Sequence, residues 1–272
     1  IDHNYHDRVK GRRTIVADHA STVLGAIPEG HVVIREVYEY LLAEYLPIRY
    51  PSMFEVRRDG ISSTFFNKVT RLESPLSSPP HDPLEALKII SETVEDDMFL
   101  LLQEPNTPAG EPGEHKSVAF ICCYPGGFDP SEKLGKGLKA IHVPVPAYDK
   151  IGPSMERYFS RVEWAVQTHT KLFAPSGNHI HVGETVQEDA HVDIETARLR
   201  VELQTLTRLP QTRALIFSFK TYLYPLSDIK AEGLGPQLAD AVEGLKAGNA
   251  PGMWVYKGGV RWGKAVCDYL RS

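Results

Sequence analysis

Apolar residues in the segment 31–46 recur at intervals of three and four, which is the spacing of one helical face. They are Val37, Tyr38, Leu41, Leu42, Tyr45 and Leu46. We predict an amphipathic helix that ends at Pro47. A second helix is expected from Asp82-Pro83 to about Val94, because Asp caps free backbone N–H groups and Pro suits the first helical position. The residues between these helices are predicted to be a loop-rich connection.

Shorter apolar runs predict strands in the middle of the chain. Met98–Leu102 and Val118–Cys123 are expected to form a hairpin with a long, Pro- and Gly-rich tip, and Val162–Val166 is expected to form another strand. In Arg198–Thr205, apolar residues alternate with Arg198, Arg200, Glu202 and Gln204. A period of two predicts a strand with one polar face. A strand from Ala214 to about Tyr224 is expected to pair with it in antiparallel fashion.

Helical segments are predicted around these strands. One helix is expected to begin at Ser131, to carry Leu134, Leu138 and Ile141, and to end at His142 before the Val143-Pro144-Val145-Pro146 run. Further helices are predicted at Ile151–Phe159, at Gln237–Ala247 with Gly248 as C-cap, and at Trp262–Leu270. Helices at both ends around antiparallel strands indicate an α+β fold. We expect one elaborated domain, with residues 1–96 mainly helical, 97–225 forming the sheet core and 226–272 forming C-terminal helices.

Composition narrows the possible partners. The 272-residue chain has a formal net charge of −5, which disfavours nucleic-acid binding because counterion displacement needs an excess of Lys and Arg. Three cysteines do not make a disulfide framework, and the adjacent Cys122 and Cys123 are expected to pack in the core. No apolar stretch reaches the length of a membrane span. A cytoplasmic location is therefore the expectation, although a chain that starts at Ile1 leaves open an upstream anchor or targeting segment.

Histidines provide the first candidates for chemistry. His179 and His181 would share one face of a strand and, with Glu184 or Asp193, could bind non-haem iron or zinc. The same residues also fit an exposed polar loop. His142, between a helix and a rigid Pro-containing segment, could project its imidazole into a cavity as an axial haem ligand does. It could equally be a hydrogen-bonded core histidine.

The polar face of the predicted strand at 198–205 supplies a second group of candidates. Glu202 could hold an amine or accept a proton, and Gln204 could orient a ligand. Arg208 could bind a carboxylate or a haem propionate. Tyr222, on the next predicted strand, could add a hydroxyl group. If this face points to water, these residues are only a solvated edge. The pair Gly126-Gly127 lacks the spacing of a phosphate-binding loop.

Several segments together resemble one family. They are residues 46–51 with Phe54, 133–135, 140–146, 161–164, 200–210 and 217–225, which contain Pro47, His142, Trp164, Glu202 and Tyr222 in that order. Their shared order is similar to that of the haem-dependent oxidative N-demethylase α-subunit-like proteins of bacteria and fungi. The resemblance implies a PAS-like domain that binds haem and uses O₂ to oxidise a small secondary amine, with a flavin and iron–sulfur reductase as partner.

The resemblance also implies roles for individual residues. His142 becomes the first choice for the iron ligand, with His179 and His181 in reserve, and Arg208 and Trp164 become cofactor-binding residues. Glu202, Gln204 and Tyr222 become the residues that orient the substrate. Two positions depart from the family pattern: Leu203 replaces a usual Arg, and Glu163 replaces a usual Asn before Trp164. Fungal-like relatives of this kind could act on other substrates.

Two alternatives to this monooxygenase-type enzyme are open from the sequence. The first is a haem-binding sensor or carrier on the same fold. The second is a non-haem iron or zinc enzyme that uses His179 and His181. Formation of a product would distinguish the enzyme from the sensor. An absorption spectrum with elemental analysis would distinguish both haem proteins from the non-haem enzyme.

Overall fold

The computed structural model describes residues 1–106, 108, 110, 112–150, 160–181, 183–189 and 191–272. It contains helices and antiparallel strands, which confirms the predicted α+β fold. The chain divides into two compact units. The first comprises residues 1–123, 130–138 and 206–218, and the second comprises residues 124–129, 139–205 and 219–272. Whether the fold is PAS-like stays a prediction.

The first unit begins with helices. They are α1 (Tyr5–Val23), α2 (His31–Glu39), α3 (Leu46–Arg49) and α4 (Pro83–Ser91). The predicted helix over 31–46 is confirmed, but its predicted end at Pro47 is wrong. A π-helical segment, Tyr40–Tyr45, joins α2 to α3, so Pro47 lies in the first turn of a new α-helical segment, where its missing N–H group costs little. The side chain of Asp82 caps α4 by accepting from the Leu84 N–H at 2.9 Å.

Three strands lie where a loop-rich connection was expected. They are β2 (Phe54–Asp59), β3 (Ser62–Asn67) and β4 (Leu72–Pro75), after the short β1 (Leu24–Ala26). The loop-rich interpretation is therefore wrong. Phe54 and Phe65 stack at 5.4 Å between ring centroids and are both buried, and Gly60 forms the turn between β2 and β3 with a φ of +57°. The apolar contacts of this small sheet outweigh the turn-forming residues around it.

The predicted central hairpin is confirmed. It consists of β5 (Asp97–Gln103) and β6 (His115–Ile121), and β1 pairs with the other edge of β6. Beneath it, Arg12 Nη1 and Asp97 Oδ1 form a buried ion pair at 2.6 Å. Asp97 also accepts from the Cys123 N–H at 2.8 Å. Cys122 and Cys123 are both fully buried, as predicted.

The continuous helix predicted from Ser131 to His142 is wrong. The structure has a 3-10 turn at Pro130–Lys133 and a separate short helix, α5 (Leu138–Ile141). Gly135 between them has a φ of +75°, which a helix does not allow. Gly137 forms an antiparallel β-bridge with Lys116, which also interrupts a helix. The predicted helix Ile151–Phe159 lies outside the described residues.

The second unit contains strands followed by helices. The strands β7 (Ser160–Gln167) and β8 (Arg198–Arg208) are antiparallel, and β9 (Leu215–Pro225) lies next to β8. The ends of β8 and β9 nearest their connection belong to the first unit. The helices are α6 (Leu226–Ala231), α7 (Gly235–Ala247), α8 (Gly252–Tyr256) and α9 (Gly259–Arg271). The two predicted C-terminal helices are confirmed, and each begins two or three residues earlier than predicted.

The β7–β8 pair has one apolar face and one polar face. Trp164, Val166 and Leu199 belong to the apolar face and pack with a cluster that includes Trp262 and Val266 of α9. Because side chains alternate along a strand, the charged residues of β7 and β8 point to the other side. Within the described residues, no helix is both long enough and apolar enough to cross a membrane.

Candidate functional site

The candidate site lies on the polar face of β7 and β8. The antiparallel register places Arg161 opposite Gln204, Glu163 opposite Glu202, and Ala165 opposite Arg200. Residues directly opposite each other in an antiparallel pair have neighbouring side chains on the same face. The polar alternation predicted in β8 is therefore confirmed, and β7 adds two charged residues to it. This face is not a solvated edge, because Arg200 and Gln204 are buried.

Glu202 is the central carboxyl group of this face. Its Oε1 accepts from Arg200 Nε, and its Oε2 accepts from Gln204 Nε2, both at 3.2 Å. The side chain is only 14% exposed. Burial raises the pKa of Glu202, Arg200 and Gln204 oppose this rise, and the negative charge of Glu163 adds to it. Glu202 is therefore a buried carboxyl group that can hold a proton more readily than an exposed one.

Arg200 fixes the position of Glu202. Its Nη2 donates to the Tyr124 carbonyl at 2.5 Å and to Thr221 Oγ1 at 3.4 Å. Its Nη1 donates to the Leu172 carbonyl at 3.2 Å. A guanidinium group with this many acceptors cannot rotate without losing several hydrogen bonds. Sequence reasoning placed Arg200 on the polar face but did not identify it as a site residue.

Two glycines allow the backbone to approach this group closely. A Cβ atom on Gly126 would lie 2.9 Å from Arg200 Nε and 3.1 Å from Glu202 Oε1. A Cβ atom on Gly127, which has a φ of +95°, would lie 2.9 Å from His179 Nδ1. The Gly126-Gly127 pair is thus part of the site. Its spacing does not match a phosphate loop, so the one sequence signal available was the glycine pair itself.

The β7 side of the site carries a cation and a second ion pair. Arg161 Nε donates to Gln204 Oε1. Burial lowers the pKa of Arg161, and the nearby Glu163 and Glu202 oppose this shift. Lys257 Nζ donates to Glu163 Oε1 and to the Trp164 carbonyl. Glu163 and Glu202 therefore each have a cationic partner.

His142 follows α5 and is half-buried. Its ring stacks on Tyr148, with 4.5 Å between centroids and an interplanar angle of 4°. Tyr148 lies close enough to Arg161 to affect the pKa of that guanidinium group. The aromatic neighbour of His142 thus lies near the polar face that holds Glu202.

The other histidine candidates do not gather around one point. His179 stacks on Tyr256 at 4.4 Å, and burial, followed by the charge of Lys257, lowers its pKa to about 4. His181 is exposed, and Glu184 lies 3.7 Å from Arg261 Nη2. Asp193 accepts from the Glu195 N–H. Across the part of the chain that the structure describes, no three His, Cys, Asp or Glu side chains form a metal-binding group.

The remaining candidates lie away from Glu202. Trp164 is on the apolar face, opposite Val201. Thr221 contacts Arg200, so the adjacent Tyr222 in the extended strand points to the other side, where it stacks on Tyr224 at 6.2 Å. Arg208 is exposed and donates to the Arg213 carbonyl at the β8–β9 connection. Of the predicted site residues, the structure therefore brings together Glu202 and Gln204.

A small cavity lies near the other end of this face. It has a volume of about 210 Å³. Its polar lining includes Gln167, His169, Asn178, Asp189 and Arg261. His169 Nε2 and Asn178 Oδ1 are 2.9 Å apart. Sites for cofactor-sized ligands usually have volumes of about 300–1,000 Å³. This cavity is too small for haem.

These features define an α+β protein with a buried, charged sheet face built around the carboxyl group of Glu202. The family described as haem-dependent oxidative N-demethylase, alpha subunit-like, matches residues 1–267. The chain belongs to this family, as the resemblance predicted. The name of the family states haem dependence and oxidative N-demethylation.

Proposed function

We propose that this protein binds haem and catalyses the O₂-dependent removal of an N-methyl group from a small amine. Family membership over residues 1–267 supports the reaction class. The observation that carries the proposal within the structure is Glu202, a buried carboxyl group with a raised pKa between Arg200 and Gln204. Such a group can take up and return a proton more readily than an exposed carboxylate, which amine chemistry requires.

A histidine near the polar face would hold the haem iron. His142 provides a half-buried imidazole, which is a common proximal ligand of haem iron, with His179 and His181 as reserve ligands. Arg208 and Trp164 stay candidates from the family resemblance alone, since Arg208 donates to the Arg213 carbonyl and Trp164 packs on the apolar face. Haem, when bound, supplies the activation of O₂.

The proposed reaction balances with two electrons and two protons. One N-methyl group leaves as formaldehyde, the amine nitrogen gains a hydrogen atom, and the second oxygen atom of O₂ becomes water. The electrons come from a reductase partner with flavin and an iron–sulfur cluster. Glu202 accepts the proton of the bound ammonium group, and Gln204, held by Arg161, keeps the carboxyl group oriented. The Tyr124 and Leu172 carbonyl groups accept from Arg200 and so hold it beside Glu202.

Formaldehyde production tests this proposal. Haem-loaded protein is supplied with O₂, a reductant and dimethylamine or other N-methylamines, and formaldehyde is measured. We expect amine-dependent formaldehyde, and a fall in kcat of about 100-fold or more in Glu202→Gln, which is the usual contribution of a proton-transferring group. The exposed Glu195→Gln is the matched control and should retain activity. Haem binding and ligand exchange without formaldehyde from any amine would overturn the proposal in favour of a sensor or carrier.

A further inference from the structure

The Arg161 guanidinium group can donate further hydrogen bonds to a ligand. Its Nε donates to Gln204 Oε1. Within the described part of the chain, its two Nη groups have no protein acceptor, whereas Arg200 on the same face uses its Nε and both Nη groups. Arg161 is half-buried, and burial lowers its pKa. A partly desolvated guanidinium fork with two unused donor groups is suited to a carboxylate, which it can bind through two parallel hydrogen bonds.

The charges around Glu202 also favour an anionic group. Three cations, Arg161, Arg200 and Lys257, surround two carboxylates, Glu163 and Glu202. Among these five described side chains, Lys257 pairs with Glu163 and Arg200 pairs with Glu202, so the charge of Arg161 is the excess. A simple ammonium ion placed here meets a net positive environment. A ligand that also carries a negative charge compensates Arg161 and removes this penalty.

Arg161 and Glu202 are close enough for one small ligand to contact both. Arg161 is directly opposite Gln204, so Glu202 is its diagonal neighbour across the strand pair. Diagonal neighbours in an antiparallel pair are roughly 7–8 Å apart at their backbones, and long side chains bridge this separation. The amide group of Gln204 joins the two residues, since its oxygen accepts from Arg161 and its nitrogen donates to Glu202.

We propose that Arg161 binds the carboxylate of a small zwitterionic substrate, an N-methylated amino acid, whose ammonium group faces Glu202. This inference rests on the proposed function, and it names the substrate class. The same guanidinium fork could instead bind a haem propionate, because both groups are carboxylates. In haem-free protein a propionate is absent, so only a substrate carboxylate can then depend on Arg161 for binding.

Calorimetric titration of the haem-free full chain distinguishes these sources. The probes are N,N-dimethylglycine and dimethylamine. We expect N,N-dimethylglycine to bind about tenfold or more tightly than dimethylamine, and Arg161→Gln to abolish this difference by weakening N,N-dimethylglycine binding without weakening dimethylamine binding. Arg198→Gln is the matched control, because Arg198 lies on the same strand face but donates to the carbonyl groups of Glu195 and Ala197. Arg161→Lys keeps the charge, loses the fork and should show an intermediate affinity.

A second titration, with haem, completes the test. If Arg161→Gln weakens haem binding and wild-type protein binds both amines equally, the carboxylate is a propionate and the inference is overturned. Equal N,N-dimethylglycine affinity in wild-type protein and Arg161→Gln also overturns it. If Arg161→Gln does not fold, Arg161→Lys takes its place in the comparison with wild-type protein, and the same criteria apply. Formaldehyde from dimethylamine without any Arg161-dependent preference contradicts this inference alone, whereas Arg161-dependent binding without haem uptake contradicts the proposed function alone.

Discussion

Glu163 and Glu202 lie directly opposite each other on β7 and β8, with their side chains on the same face. Like charges in this position destabilise an antiparallel pair. Here each carboxyl group has its own cation, Lys257 for Glu163 and Arg200 for Glu202. The arrangement keeps two acidic groups close together, so the protonation of Glu202 depends on the charge of its neighbour.

Replacing Glu163 should therefore change the titration of Glu202. We expect Glu163→Gln to lower the pKa of Glu202, because the substitution removes a negative charge and leaves the positive charge of Lys257 without its partner. Infrared difference spectroscopy across a pH titration can follow the Glu202 carboxyl band, which Glu202→Gln identifies. Glu195→Gln is the control for the removal of an exposed carboxylate. An unchanged or higher pKa in Glu163→Gln would show that the two groups are not coupled.

A methyl group at Gly126 should disturb the site, whereas one at Gly244 should not. The Cβ of Gly126→Ala would crowd Arg200 and Glu202, and Arg200 cannot move away without losing its hydrogen bonds to carbonyl groups. We expect a loss of about 1–3 kcal/mol in the free energy of unfolding. Gly244 in α7 has open space around it, so Gly244→Ala should stabilise by up to about 1 kcal/mol. Urea denaturation measures both, and equal effects would contradict the close approach at Gly126.

Glu36 should make the stability of the first unit dependent on pH. Burial opposes its ionisation, but hydrogen bonds from Thr212 and from the Gln211 N–H lower its pKa overall. A lowered folded-state pKa means that the carboxylate stabilises the protein above its unfolded pKa and that this contribution is lost as the pH falls through the folded value. We expect Glu36→Gln to cost about 1–3 kcal/mol at pH 7 and less in acid. A cost that does not change with pH would contradict this explanation.

The sequence predicted the polar face of β8 correctly because alternation is a local property. It could not predict that this face is buried. The Tyr124 and Leu172 carbonyl groups, which accept from Arg200 on this face, are distant from β8 in sequence. Periodicity also could not identify Arg161 and Glu163 as site residues. Only the register of β7 against β8 places them beside Gln204 and Glu202.

The errors in the predicted helices also have local causes. Helical spacing of Leu134, Leu138 and Ile141 suggested one helix, but Gly135 and Gly137 take conformations or contacts that a helix does not provide. The three strands β2, β3 and β4 were missed because nearby turn-forming residues obscured their short apolar runs. Stacking of Phe54 on Phe65 stabilises that sheet, and such a contact cannot be inferred from spacing alone.

The absorption spectrum of the purified protein, titrated with haem, is the most direct test of haem binding. We predict a Soret band with saturable, stoichiometric binding, and we predict that His142→Ala weakens or shifts this band. His81→Ala, which removes an exposed histidine, is the control and should leave the band unchanged. A band that His179→Ala or His181→Ala alters, but His142→Ala does not, would contradict the assignment of the iron ligand. The absence of a Soret band under all reconstitution conditions would show that the protein does not bind haem and would overturn the proposed function.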